Sequence, residues 1–254
     1  MRFSNYAGIL ALCLAGVDAR AAIDVPSGAS MDLADGAIHL ACSDLTVAGT
    51  LTGGSAMVSG IANLTINGGT LDAGSALFAV GGDFVDSGTF NAGTSSVEIV
   101  DACGSGVSRL GGSSAFYDFS ASTAAGKQLV LDAGLTQSVS HAFTLQGAAG
   151  QLLRVLSSGA GQQARFAIAA AASQVVSYVD ARDNLASQAT IAPGLPSLYN
   201  SIDSGNLTNW FGSAGTGDPG STGRGPVPTP ALGPFAAILL AFLLGWFGWR
   251  KRDA

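Results

Sequence analysis

The stretch Asn63-Leu-Thr-Ile-Asn-Gly-Gly-Thr-Leu decides the fold of this chain, because it occurs three times in slightly altered form. The earlier copy is Asp44-Leu-Thr-Val-Ala-Gly-Thr-Leu and the later one is Asp83-Phe-Val-Asp-Ser-Gly-Thr-Phe. The Gly-Thr-apolar element that starts at Gly49 recurs after 20 and then after 19 residues. A period near 20, with short alternating segments between glycine and asparagine corners, predicts a β-solenoid whose stacked coils bury a common core.

Alternation of apolar and polar residues within one repeat predicts which side chains enter that core. In a strand, successive side chains point to opposite faces. We expect the following to point inward: Leu64, Ile66, Leu71, Leu77 and Val80. Their polar neighbours, among them Thr65, Asn67, Thr70 and Asp72, are expected to face solvent.

The second half of the chain keeps the same pattern with a looser period. Strands are predicted to start at Ala115, Gln128, Ala142, Leu152, Ala164 and Gln174. Such spacings are also compatible with a sandwich of short strands. Because the first half has a regular period, we favour an all-β fold, a right-handed parallel β-helix spanning residues 22–211.

Composition narrows the class of function. Charged residues make up only 11% of the chain, and Gly contributes 36 residues. Between Ala22 and Arg224 there are 15 acidic and 6 basic residues, so the body is acidic and is not expected to bind nucleic acid. Apolar residues recur throughout, which excludes a disordered polyampholyte.

The C-terminal end has three parts that together are typical of a sorting address. Val227-Pro228-Thr229-Pro230 is followed by an uncharged run from Leu232 to Trp249 and then by Arg250-Lys251-Arg252. As a helix the run would be roughly 27 Å long, close to the hydrocarbon thickness of a bilayer. The basic residues would remain on the cytoplasmic side. We therefore predict a C-terminal transmembrane helix in the segment 227–254, joined to the body by a Gly- and Pro-rich linker, 212–226.

The N-terminal residues 1–21 are predicted to form a cleavable signal helix. Arg2 precedes a short apolar region, and Ala19-Arg20-Ala21 fits a small-x-small cleavage site with Ala22 as the first mature residue. Export leaves two cysteines, Cys42 and Cys103, for which we expect a disulfide in an oxidising compartment; two separate buried thiols are the alternative.

Residues suited to catalysis or metal binding are few. The two histidines, His39 and His141, are not in metal-ligand spacing, and Glu98 is the only glutamate. The best catalytic candidates are Asp180, Arg182 and Asp183, which could cleave a polysaccharide from the outer face of a β-helix. Asp132 or Asp101 could complete such a cluster, and Asp203 could join Asp180 and Asp183 as a calcium ligand. Aspartates at strand ends are also ordinary turn residues, so we predict no catalytic residues, no metal and no cofactor.

The C-terminal segment resembles the IPTL-CTERM class of bacterial sorting signals, which are relatives of PEP-CTERM. Val227 and Pro230 depart from the Ile and Leu of that motif, whereas Pro228 and Thr229 match it. The resemblance implies processing by an exosortase-type enzyme. The body, with Gly88 to Thr94 and the closing Ser201 to Trp210, is similar to secreted repeat proteins of the adhesin-like, parallel β-helix type.

Together these observations predict an exported structural or adhesive protein of the bacterial cell surface or extracellular matrix. At least transiently, a single helix would anchor it in the inner membrane. The expected partners are the exosortase-type enzyme, the membrane and extracellular glycans. The competing hypothesis is a lyase or hydrolase that acts on polysaccharides with the same fold, and a third is a protein that only packs into a surface layer.

Overall fold

A computed structural model describes residues 22–212, and within that range the chain is an all-β parallel β-solenoid of about eight turns. The predicted signal segment, the linker beyond Gly212 and the sorting segment lie outside the described residues. The strands are β1 Ile23–Val25, β2 Ser30–Asp32, β3 Ala37–Val47, β4 Thr50–Thr52, β5 Met57–Ile66, β6 Thr70–Asp72, β7 Leu77–Val80, β8 Phe84–Asp86, β9 Thr89–Asn91, β10 Ser96–Ile99, β11 Val107–Gly111, β12 Ala115–Ser122, β13 Gln128–Leu131, β14 Thr136–Gln146, β15 Leu153–Ser157, β16 Ala164–Ile168, β17 Ser173–Ser177, β18 Val179–Arg182, β19 Asn184–Gln188, β20 Ile202–Asp203 and β21 Leu207–Thr208.

The coils have three faces, and long strands bend around a corner to serve two of them. Face 1 contains β1, the second parts of β3 and β5, and then β8, β11, β13, β15, β18 and β20. Face 2 contains β2, β4, β6 and β9, and then the first parts of β12 and β14, β16, β19 and β21. Face 3 contains the first parts of β3 and β5, then β7, β10, the second parts of β12 and β14, and β17.

The repeat seen in the sequence sets the register of the first coils. Leu64 pairs with Leu45 of the preceding coil and with Phe84 of the next one, and all three side chains are buried. Every strand-to-strand ladder among the described residues is parallel, which excludes the sandwich alternative and confirms the predicted β-solenoid.

One predicted core residue is wrong. Leu77 is only partly buried, whereas Phe78 and Val80 are fully buried in the same strand. Because side chains alternate with a period of two, residues 77 and 80 cannot both point inward. Val80 and its partner Phe78 take the inner positions, and Leu77 lies on the outer side of face 3.

The filling of the core changes along the solenoid axis. Aliphatic side chains such as Leu51 and Leu71 fill the first coils, and phenylalanines fill the later ones. Phe119 lies 6.4 Å from Phe143, and Phe143 lies 5.0 Å from Phe166 between ring centroids. Trp210 follows at 6.3 Å from Phe166, so the row of buried rings ends at the last residues of the body. Buried aromatic rings in such contact add stabilisation beyond the burial of their area.

Helix contributes little to the described part of the chain. A four-residue 3-10 helix, Pro196–Tyr199, precedes the final coil. Among residues 22–212 there is no helix with the length and apolar character required for a membrane span.

Candidate functional site

The predicted catalytic residues Asp180, Arg182 and Asp183 lie on face 1 in β18 and just after it. Asp180 accepts a hydrogen bond from the hydroxyl of Ser204 and lies 3.8 Å from the Nε atom of Arg154. Asp183 is buried and accepts a hydrogen bond of 2.6 Å from the Nδ2 atom of Asn206. That hydrogen bond holds the pKa of Asp183 below its ordinary value, although desolvation opposes the shift. Both carboxylates are therefore occupied by local partners.

Asp132 and Asp101 are also occupied, and they lie in different places. Arg109 donates to both oxygens of Asp132, at 2.8 and 2.9 Å, which lowers the pKa of that carboxyl. Asp101 accepts from Thr123 Oγ1 at 3.0 Å and from the backbone N–H of Ala124 and Ala125. Burial raises the pKa of Asp101, but these hydrogen bonds outweigh it and the net shift is downward. Neither residue is held in place by Asp180 or Asp183.

Metal-binding groups do not gather in the part of the chain that the structure describes. Residues 22–212 contain no group of three or more His, Cys, Asp or Glu side chains that could hold a metal ion. Asp180, Asp183 and Asp203 thus do not form the candidate calcium site. The histidines lie apart as well: the Nδ1 atom of His39 is 3.1 Å from the hydroxyl of Ser59, and the ring of His141 stacks on Tyr117 at 4.6 Å.

The Arg109–Asp132 pair gives a prediction for stability. The pKa of Asp132 is lower in the folded protein than its ordinary value of 3.8, so the folded protein binds fewer protons than the unfolded chain at acid pH. The stabilisation is present above pH 3.8 and is lost as the pH falls through the folded pKa. Asp132→Asn is expected to lower the free energy of unfolding by up to about 1 kcal/mol at neutral pH, because Arg109 is half exposed.

Urea denaturation of the wild type and of Asp132→Asn at several pH values checks this prediction. The difference should narrow as the pH is lowered below 3.8. A difference that stays constant with pH would show that the ion pair is not its cause.

A regular polar surface covers face 2 of the first four coils, and we call it the threonine face. Its outward side chains form two columns: Ser30, Thr50, Thr70 and Thr89 in one, and Asp32, Thr52, Asp72 and Asn91 in the other. Between the columns Leu51 and Leu71 point inward and are fully buried. Neighbouring coils are about 4.8 Å apart, so hydroxyl groups repeat along the axis at that spacing. Asn91 donates to Asp72 at 2.5 Å, which fixes both side chains within their column.

A second polar ladder runs along the corner before face 1. The Nδ2 atom of Asn63 donates to Asp44 at 2.9 Å, and the Oδ1 atom of Asn63 accepts from the backbone N–H of Asp83 at 2.9 Å. Asp83 in turn accepts from the backbone N–H of Arg109 at 2.8 Å. Asn63 therefore serves the stacking of the coils, which agrees with its predicted place at a repeat corner.

A shallow groove lies where face 2 meets face 3 in the later coils. Its volume is about 270 Å³, and it runs past Ala92, Tyr117, Ser140, Ala169 and Gln188, one residue from each of five successive coils. The floor consists mainly of small side chains, and the Tyr117 ring, stacked on His141, forms one wall. The groove is thus extended along the solenoid axis.

Sequence reasoning missed a buried cation, Lys127. Its side chain is 1% exposed, and its Nζ atom donates to the carbonyl oxygens of Gly81 and Ser105, each at 2.6 Å, and to Ser108 Oγ at 3.1 Å. The one available signal is that Lys127 is the only lysine between residues 22 and 212. Lys127 also lines a cavity of about 330 Å³ together with Asp101 and Cys103.

The two cysteines are joined in the structure. Cys42 and Cys103 form a disulfide with their Cα atoms 5.2 Å apart. Cys42 lies at the bend inside β3, and Cys103 belongs to the longer corner segment Asp101–Gly106, which we call the strap. The strap connects β10 with β11, so the bond ties the fifth coil back to the first two.

The predicted sorting motif Val227-Pro228-Thr229-Pro230, the basic residues Arg250, Lys251 and Arg252, and the cleavage residues Ala19 and Ala21 lie outside the described residues. Ala22, the predicted first mature residue, is exposed just before β1. Comparisons with protein-family models, with curated proteins and with solved structures found no match for this chain.

Proposed function

We propose that this protein is an exported structural or adhesive component of a bacterial cell surface or extracellular matrix, and that it binds extended glycans through its threonine face. The observation that supports this most is the in-register column of hydroxyl groups on Ser30, Thr50, Thr70 and Thr89. Hydroxyl groups both donate and accept hydrogen bonds, as sugar hydroxyls do. An extended polysaccharide advances by a similar distance per sugar, so successive coils would meet successive sugars.

Export and anchoring belong to the same proposal. A signal helix over 1–21, the linker 212–226 and the segment 227–254 would deliver the solenoid outside and hold it, at least transiently, in the inner membrane by one helix. An exosortase-type enzyme would process the Val227–Pro230 motif. We further infer that the coils wind right-handed, because crossovers between parallel strands of one sheet are right-handed in nearly all proteins.

The polysaccharide-active enzyme remains the second hypothesis, with less support. A glycosidase needs two carboxyl groups that flank the scissile bond and are free to exchange a proton or bond the sugar. Here Asp180 and Asp183 are hydrogen-bonded to Ser204 and Asn206, and Asp132 is held by Arg109. Polymer degradation that disappears in Asp180→Asn and Asp183→Asn variants would favour the enzyme instead.

The double variant Thr50→Val and Thr70→Val tests glycan binding. Valine keeps the shape and the preference for strands but removes two hydroxyl groups from the middle of the column. Affinity for an oligosaccharide that the wild type binds should fall about tenfold, since each hydrogen bond contributes on the order of 1 kcal/mol. Glycan arrays followed by calorimetry with full-length protein in a non-ionic detergent provide the measurement.

Thr144→Val is the matched control, because Thr144 points outward from face 3 and lies outside the threonine face. Its affinity should equal that of the wild type. An equal loss in the control, or unchanged affinity in the double variant, would contradict the assignment of glycan binding to this face.

A further inference from the structure

Charge is distributed unevenly along the solenoid axis. Residues 22–108 contain nine acidic residues and neither lysine nor arginine, and this range includes all of the threonine face. Residues 109–212 contain five acidic and five basic residues, so the second half is formally neutral. The first half is thus a surface of one sign, and such a surface attracts ligands of the opposite charge.

Two of the nine carboxylates lie on the threonine face itself. Asp32 is exposed and Asp72 is half-exposed, in the same column and two coils apart. Asp32 accepts one hydrogen bond from the backbone N–H of Ala34, and Asp72 accepts one from Asn91. A carboxylate has about four lone-pair positions, so each retains acceptor capacity toward solvent.

These carboxylates stand beside the hydroxyl column rather than in a cluster of their own. Thr50 and Thr70 lie at the opposite ends of the same three-residue strands as Thr52 and Asp72. A polymer lying along the axis would therefore meet hydroxyl groups on one side and a negative charge at every second coil on the other. A sugar that carries both hydroxyl groups and an ammonium group fits both columns.

From this arrangement we propose that the ligand of the threonine face is a linear polymer of amino sugars with free, protonated amino groups. The inference rests on the proposed glycan-binding function and adds the chemical class of the glycan. Acidic polysaccharides are disfavoured because nine carboxylates repel them without a compensating cation in the first half. Neutral glycans would use the hydroxyl column alone and bind more weakly.

Three soluble oligomers of equal length test the proposal on the full-length protein in a non-ionic detergent. They are β-1,4-linked glucosamine, the same oligomer fully N-acetylated, and oligogalacturonate. The glucosamine oligomer is expected to bind about tenfold more tightly than the acetylated one at low salt, and oligogalacturonate is expected not to bind. The preference for glucosamine should shrink as salt is raised, since the Debye length is about 10 Å at 0.1 M.

The double variant Asp32→Asn and Asp72→Asn removes the two charges without removing hydrogen bonds. An amide oxygen can still accept from Ala34 and from Asn91, so the strands should keep their structure. Glucosamine affinity should fall about tenfold, and affinity for the acetylated oligomer should not change. Asp203→Asn is the matched control in the second half of the body, where Asp203 is exposed and accepts from the backbone N–H of Gly205; its affinity for both oligomers should equal that of the wild type.

Each contrary outcome overturns a distinct statement. Equal affinity for the glucosamine and acetylated oligomers would overturn the amino-sugar class and leave glycan binding intact. Binding of neither oligomer, together with no other glycan on an array, would overturn the proposed function. An equal loss in Asp203→Asn would assign the effect to net charge and not to this face. Should the double variant unfold, glucosamine binding by the wild type that does not change with salt would by itself overturn the proposal.

Discussion

Removal of the Cys42–Cys103 disulfide is expected to lower the free energy of unfolding by about 4 kcal/mol. The two cysteines are 61 residues apart in the sequence, and a cross-link over that distance restricts the unfolded chain strongly. The loop it closes contains the most regular part of the solenoid, β4 to β10, so the bond constrains the coils that carry the threonine face.

The strap explains how two distant corners meet. Its residue Ala102 lies over Gly81, because a Cβ atom at Gly81 would be 2.5 Å from the carbonyl oxygen of Ala102. The Sγ atom of Cys103 lies 3.8 Å from the carbonyl oxygen of Ile61, one coil further back. The strap thus crosses two corners to reach Cys42. Loss of the bond should release the strap first and weaken the first coils as a consequence.

Chemical denaturation of Cys42→Ser, Cys103→Ser and the double variant measures the effect. The two single variants and the double variant should be equally destabilised, since either change alone removes the bond. Reduced wild-type protein should match them. If reductant has no effect and the losses of the two single variants add up in the double variant, the cysteines are separate thiols and the prediction is wrong. The intact mass of the mature protein would show the bridged state directly.

The first half of the fold could be predicted because its coils have nearly constant length. Residues paired between neighbouring coils are 20 residues apart at Leu64 and Phe84, so the sequence repeat and the structural repeat coincide. In the second half the spacing grows: Gln128 pairs with Arg154, and Arg154 with Asp180, both 26 residues apart. Without a fixed period, the residues that lie side by side cannot be assigned from the sequence.

The ion pairs illustrate the consequence for the candidate site. Asp180, Arg182 and Asp183 are adjacent in the sequence and suggest one cluster, but Asp180 faces Arg154 from the neighbouring coil. Asp132 is likewise held by Arg109, 23 residues before it. Each contact depends on the length of a corner, and corners of variable length carry no periodic signal. The threonine face, in contrast, follows from the Gly-Thr element of the repeat itself.

Lys127→Met is expected to lower the free energy of unfolding by about 3 kcal/mol. The methionine chain would fill much of the space but would leave the carbonyl oxygens of Gly81 and Ser105 and the hydroxyl of Ser108 without their donor. A buried acceptor that loses its partner costs about 1 to 3 kcal/mol, and the loss of three partners is only partly offset because the cost of burying a cation also disappears. Urea denaturation at neutral pH measures the difference, and Arg165→Met, an exposed strand position on face 2, should change stability by less than about 0.5 kcal/mol.

The pH dependence provides a separate test of the same residue. Burial lowers the pKa of the Lys127 amine below its ordinary 10.5, although Asp101 and Asp83 act in the opposite direction. Between the folded pKa and 10.5 the folded protein binds fewer protons than the unfolded chain, so wild-type stability should rise with pH in that window relative to Lys127→Met. Because Lys127 connects the strap to the corner at Gly81, the variant should also expose the disulfide to reductant more readily. Unchanged stability and unchanged reduction in Lys127→Met would mean that water satisfies the three acceptors and that the lysine does not hold the strap.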